Sequence, residues 1–379
     1  MTNPFSATGH RVAETQGKRT KRTHGLLCGS VSLWLRGVAT VAACLGVLGS
    51  GERVYTQSNQ TQGTSNRARA VTEWPPKLAA PAAGEVEVLP VQGNVWMISG
   101  AGANITAQAG AQGILLVDTG TAAMSAKVIA ALKTLPTKAP LRYIVNTTHF
   151  LDHVGGNAAI APTGEIVPFR EPNYTAGPQG ALDVHKASVI SYLTVFHRMA
   201  EAEGKAQATP EIGWPDNTYS IEQKRLSFND EPVVIMHMPA NTDGNSIVLF
   251  RKSDVVSAGE LLDLTRYPII DTGAGGGIQA MIDSLNKLIE LAVPQANASG
   301  GTLVIPAHGR VADHAEVAYY RDMVTIVRDR IRDMIGRKMT LAQIKAGRPS
   351  RDWDARYGKT TGPWTTDMFV EAIYRSLTK

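Results

Sequence analysis

The segment Asn146 to Asn157, NTTHFLDHVGGN, holds the residues best suited to chemistry. It reads as a strand end passing into a glycine-rich loop, a position where ligands and catalytic groups collect. Asp152 and His153 are adjacent, so an irregular loop turns both toward one ion, and Gly155 and Gly156 permit a close backbone approach. A third donor, His308, comes much later, in IPAHG after another strand. Two imidazoles and one carboxylate suit zinc with an open position for water, and equally ferrous iron or manganese. A plainer reading stands beside this one: an Asp-His pair arises by chance, and His308 also fits a core histidine with satisfied hydrogen bonds.

Elements able to carry these residues are legible around them. From residue 86 the runs VEVLPV, NVWMISG and GILLVDTG, separated by Gly and Asn turn signals, predict strands that open a sheet. The stretch 124–135, MSAKVIAALKTL, has Val128, Ala131, Leu132 and Leu135 at helical spacing and leads into LRYIVN, which predicts a parallel strand-helix-strand unit. Residues 162–214 are less regular, an insertion followed by a helical stretch containing His185 and His197. Strands resume with PVVIMHMP, SIVLFR and DVVSAGELL, then a helix over 278–291 and the strand TLVIPAHG. The remainder is mostly helical by spacing, broken at RPSRDWDARYG, and no repeat implies a solenoid.

Composition sets bounds on function. A hydrophobic share of 43% in 379 residues supplies an ordinary core for most of the chain. Of 38 basic and 33 acidic side chains, six and one lie in residues 1–50, so 32 of each remain and the folded part is neutral. Nucleic-acid binding is therefore disfavoured, because it draws most of its affinity from cations on the folded surface. The basic run Lys18 to Arg22 precedes an apolar stretch, Leu26 to Gly49, interrupted by Arg36. Residues 1–50 thus read as a cleaved signal peptide or, alternatively, a membrane anchor, which implies an exported protein, periplasmic or extracellular, touching membrane only through this segment. Residues 51–84 read as a disordered tether and 85–379 as the folded domain. Both cysteines, Cys28 and Cys44, lie in the leader, so a mature domain cleaved past them has neither disulfides nor cysteine ligands.

Five motifs in order, LLVDTG, NTTHFLDHVGGN, PANTDGNS, SAGELLD and IPAHG, resemble the metallo-β-lactamase superfamily, whose signature loop is written HxHxDH. The resemblance implies an α/β fold, the four-layer αββα sandwich with C-terminal helices. It also implies a degenerate site. Thr148 and Phe150 stand where the family has its first two histidines, and Asn241 stands for the histidine of its PxHTxG-type loop. Phenylalanine offers no lone pair and threonine is a poor substitute for imidazole. Asp152, His153 and His308 match the second metal site completely, and Glu260 replaces the usual bridging aspartate. Asp118 resembles the buried aspartate that orients the ligand loop. His149, displaced by one residue from a ligand position, is expected to pack or support rather than bind metal. His185 matches a histidine near the family's pocket or lies on a helix surface.

The implied function is an exported hydrolase that uses one divalent metal, zinc before iron or manganese, to activate water against a small ester, lactone or amide. Asp152 and Glu260 are its catalytic candidates. The alternative is an exported binding or scaffold protein that keeps the fold without catalysis.

Overall fold

A computed structural model describes residues 81–165, 186–201, 209–294 and 301–378, all within one compact unit spanning 60–379. The leader, nearly all of the tether, and His185 lie outside the described residues. Among the described residues no helix is long and apolar enough to cross a membrane.

Two sheets form the centre. The first has seven strands in sequence order: β1 (Glu87–Gln92), β2 (Val95–Ser99), β3 (Ile105–Gly110), β4 (Gly113–Val117), β5 (Leu141–Asn146), β6 (Ser188–Tyr192) and β7 (Asn217–Tyr219). The second has five, ordered β12-β11-β10-β9-β8, from β8 (Gln223–Phe228), β9 (Glu231–His237), β10 (Ser246–Phe250), β11 (Val255–Asp263) and β12 (Leu303–His308). Strands β1 to β4 pair antiparallel, while β4 to β7 are parallel. In the second sheet β8 to β11 run as an antiparallel meander, and only β11 and β12 are parallel. The strand-helix-strand order read over DVVSAGELL, 278–291 and TLVIPAHG is the crossover from β11 to β12.

Side chains alternate between two faces of each strand, and this assigns the layers. Leu115 and Val117 of β4 pack between the sheets with Val233, Val248, Phe250 and Ile305. Ile114 and Leu116, one residue out of phase, pack outward against Val128, Ala131 and Leu132 of the helix Ser125–Leu132. On the far side, Val256 and Ala258 of β11 meet the helices Ile278–Leu291, His314–Gly336 and Thr366–Leu377. The result is the αββα order. GILLV shows no polar alternation because both of its faces are covered.

Polar ties cross the sheet-sheet interface near the site. The Thr106 hydroxyl donates to Ser257 at 2.8 Å, and the Asn104 amide donates to the carbonyls of Pro306 at 3.0 Å and Gly309 at 2.8 Å, on either side of His308. Parallel strands β4, β5, β11 and β12 end at the same rim, where Asp118, Thr147, Asp263 and His308 are found.

Candidate metal centre

Asp118 follows β4 with a left-handed φ of 64°, a conformation aspartate tolerates because its short side chain can bond locally. Its Oδ1 accepts the backbone N–H of Thr147 at 2.9 Å, and its Oδ2 accepts the Thr147 hydroxyl at 2.6 Å. The same Oδ2 lies 2.7 Å from Nδ1 of His153. One carboxylate thus fixes both the start of the ligand loop and the orientation of an imidazole within it.

The loop is more regular than its sequence suggests. Leu151–Val154 forms a short helix instead of irregular chain, and it carries Asp152 and His153. A Cβ at Gly155 would meet the Leu151 carbonyl at 2.5 Å, and one at Gly156 would meet the Thr119 carbonyl at the same distance. Only glycine permits this approach, which brings the helix against the β4 loop.

His153 is fully buried, with Asp118 at Nδ1 and Glu260 Oε2 at Nε2, 3.0 Å away. Two carboxylates facing both nitrogens favour a hydrogen on each, the imidazolium form. Burial opposes that charge, but the charge and hydrogen bond of Asp118, with Glu260 and Asp152, outweigh it and hold His153 well above the usual histidine range. His308, at the end of β12, places Nε2 3.1 Å from Oδ2 of Asp152, and its ring stands edge-on to that of His153. Burial alone would push Asp152 up. The hydrogen bond from His308 and the charges of His153, His308 and Arg266 hold it well below the usual carboxylate range.

The donor atoms of Asp152, His153 and His308 lie within 4.8 Å of one another, although Asp152 and His308 are far apart in sequence. Tetrahedral ligands on one zinc at about 2.0–2.2 Å lie about 3.3–3.6 Å apart, so the trio seats an ion after closing by about 1–1.5 Å at most. Glu260 is buried beside them, and its Oε1 has no hydrogen-bond partner among the described residues. A hard acceptor next to two imidazoles and a second carboxylate is a donor set that fits a divalent ion. The ion would displace the proton on His153 Nε2, while Asp118 continues to hold Nδ1.

The positions given by resemblance to a second ion lack such donors. Asn241 donates its amide to the Ile269 carbonyl at 2.7 Å, and its Oδ1, like the Thr148 hydroxyl, is buried without a hydrogen-bond partner among the described residues. Phe150 turns toward a cavity beside the site. His149 shares that cavity of about 280 Å³ with Asp152, Arg198 and Asp271. His237 is engaged away from the metal centre: its Nε2 meets the Asp243 carbonyl at 2.6 Å, and its ring stacks on Tyr192.

Arg266 is a site residue that the sequence reading missed. Its Nε lies 2.7 Å from Asp263, and its guanidinium NH2 lies 3.5 Å from Oε1 of Glu260 and 3.9 Å from Asp152. The Asp263 carboxyl is pushed up by burial and by the Glu260 charge, despite this neighbour. The available signal was the spacing of Glu260, Asp263 and Arg266, two acids and a cation where a buried strand leaves the sheet.

A two-sheet αββα sandwich with carboxylate and imidazole donors gathered at one rim defines a metallo-hydrolase class of fold. The chain belongs to the metallo-β-lactamase superfamily, whose family model matches residues 89–308, more than half of its length. Two solved sec-alkylsulfatase structures agree in fold. The stereoselective inverting sec-alkylsulfatase from Pseudomonas sp. is 14% identical with a TM-score of 0.51, covering 76% of this chain and 50% of that one. A double mutant of a sec-alkylsulfatase gives 13% and 0.52, covering 77% and 50%. A metallo-β-lactamase from Pontibacter korlensis is 17% identical at a TM-score of 0.46, covering 64% and 99%. This chain thus spans about half the length of the alkylsulfatases it matches. No curated protein matches the sequence.

His149 gives the acid behaviour of the fold a handle. Burial first, then the Arg198 charge, lowers it from 6.5 to about 4, so the folded protein refuses a proton that the unfolded chain accepts. Its contribution is neutral above pH 6.5, and stability is lost as pH falls toward 4, by at most about 1.4 kcal/mol per pH unit. In His149→Gln that portion of the acid limb is expected to flatten. Urea unfolding of both proteins at pH 7, 6 and 5 measures it, and parallel curves would exclude the role.

Proposed function

We propose that this protein is a hydrolase that works with one divalent ion, zinc before iron or manganese, held by Asp152, His153 and His308. The clustering of these three donors within 4.8 Å carries the reading. When bound, the ion supplies Lewis acidity that acidifies a water and polarises a substrate oxygen. Asp118 holds His153 in the orientation that presents Nε2. Glu260, with one oxygen on His153 and the other near Arg266 but lacking a hydrogen bond among the described residues, orients a water or accepts its proton. The substrate class is a small ester, lactone or amide. The leader supports export, with anchoring by the same segment as the alternative.

A second reading has its own observation. Arg266 already neutralises part of the carboxylate cluster, as expected of a binding or scaffold protein whose fold persists without an ion. One experiment separates the two. Purified protein is supplied in turn with zinc, iron and manganese and screened against ester, lactone, β-lactam and amide substrates, alongside Asp152→Ala. The hydrolase reading expects turnover that falls at least about a hundredfold in the variant. Absence of turnover in both proteins with every metal supports the scaffold instead.

A further inference from the structure

An open cavity of about 490 Å³ lies beside the site, with Phe150, Ile269, Ile270, Trp364, Met368 and Ala372 on its apolar side and Asp271, Thr272, Glu371 and Arg375 on its polar side. This is within the size range of small-ligand sites, roughly 300–1,000 Å³. Its charged residues are already engaged. Glu371 accepts from Arg375 at 2.6 Å and from Lys345 at 2.7 Å, so the acid on the wall is paired twice over. Asp271 turns Oδ1 onto the backbone N–H groups of Gly273 at 2.9 Å and Ala274 at 3.0 Å. With these groups engaged, the larger part of what the cavity offers a ligand is apolar surface. Its position gives that surface a use, because Phe150 and Asp271 also wall the smaller cavity that contains Asp152. The apolar wall thus begins one side chain from a donor of the metal centre.

We propose that this cavity holds an uncharged alkyl or aryl group of the substrate, while the bond to be cleaved lies at Asp152, His153 and His308. This deepens the hydrolase reading and rests on it: the substrate is an ester, lactone or amide with a hydrophobic substituent. Phe150 acquires a role here. At a position that the family resemblance assigns to a metal ligand, an aromatic ring instead separates the polar cavity from the apolar one. Met368, 41% exposed at the mouth, would be covered by the bound group.

Equilibrium binding tests the cavity independently of turnover. Hexanoate, octanoate and decanoate are titrated calorimetrically into the full chain, first without metal and then with zinc. Burial of each added methylene is expected to tighten binding about fourfold. Met368→Asp, a change at an exposed position, should reduce the gain to under about twofold per methylene, and Met368→Leu should retain it. Affinity indifferent to chain length, or a length dependence equally strong in Met368→Asp, overturns the proposal. Length-dependent binding without hydrolysis of any ester, lactone or amide bearing a hexyl or octyl group, with every metal supplied, supports the cavity and sinks the hydrolase reading. Hydrolysis without length dependence in binding sinks the cavity alone.

Discussion

His153→Ala is expected to destabilise the fold by about 3–5 kcal/mol and to leave a protein that retains no divalent ion after dialysis. The imidazolium lies between Asp118 and Glu260, and both carboxylates are buried with it. Truncation leaves two acids facing a hole, with only Arg266 near Glu260 among the described cations, and buried charge so poorly compensated typically costs that much. The same change deletes the only donor of the trio that is held from behind by a second carboxylate. Guanidinium unfolding gives the first quantity and elemental analysis the second. A loss under about 1 kcal/mol would mean that the two acids are already neutral or hydrated, and the electrostatic account of the centre would fall.

Arg266→Ala moves two observables in opposite directions. The guanidinium lies within 3.9 Å of Asp152 and 3.5 Å of Glu260, so it shares with an incoming ion the carboxylates that would bind it. Charges a few ångströms apart near a protein surface interact by several kcal/mol at an effective dielectric of about 20. Removing this cation is therefore expected to tighten zinc binding more than tenfold. Without metal, the variant should be less stable by about 2–4 kcal/mol, since Asp263 and Glu260 lose a partner while remaining buried. Zinc titration by calorimetry and thermal unfolding with and without zinc read both effects. Weaker zinc binding in the variant would show that Arg266 supports the ion instead of competing with it.

Residue type carried much of this site into the sequence. Asp152, His153 and His308 can be named from a short loop and an isolated late histidine, because few side chains bind metals and these three fall after strand-like runs. The sheets are also legible, since VWMIS and GILLV are bounded by turn residues. The helix Leu151–Val154 is not, because four residues cannot display a helical period. Arg266 is only faintly signalled, for a different reason. Its partners are set by where the turn after β11 folds back, and nothing local to an arginine reports which distant carboxylates it will meet. Glu260 is named by its motif, but its contact with a histidine 107 positions earlier is not legible there.

His308 rides on the second sheet while Asp152 and His153 hang from the first, with Asn104 stitching the two together around Pro306 and Gly309. The donor trio consequently does not exist in a half-built molecule. A chain emerging from synthesis offers the ion nothing until its final strand has closed the sandwich, 156 positions after the first donor. An ion bound there would act as a rivet across the two sheets, stabilising the closed form through mass action.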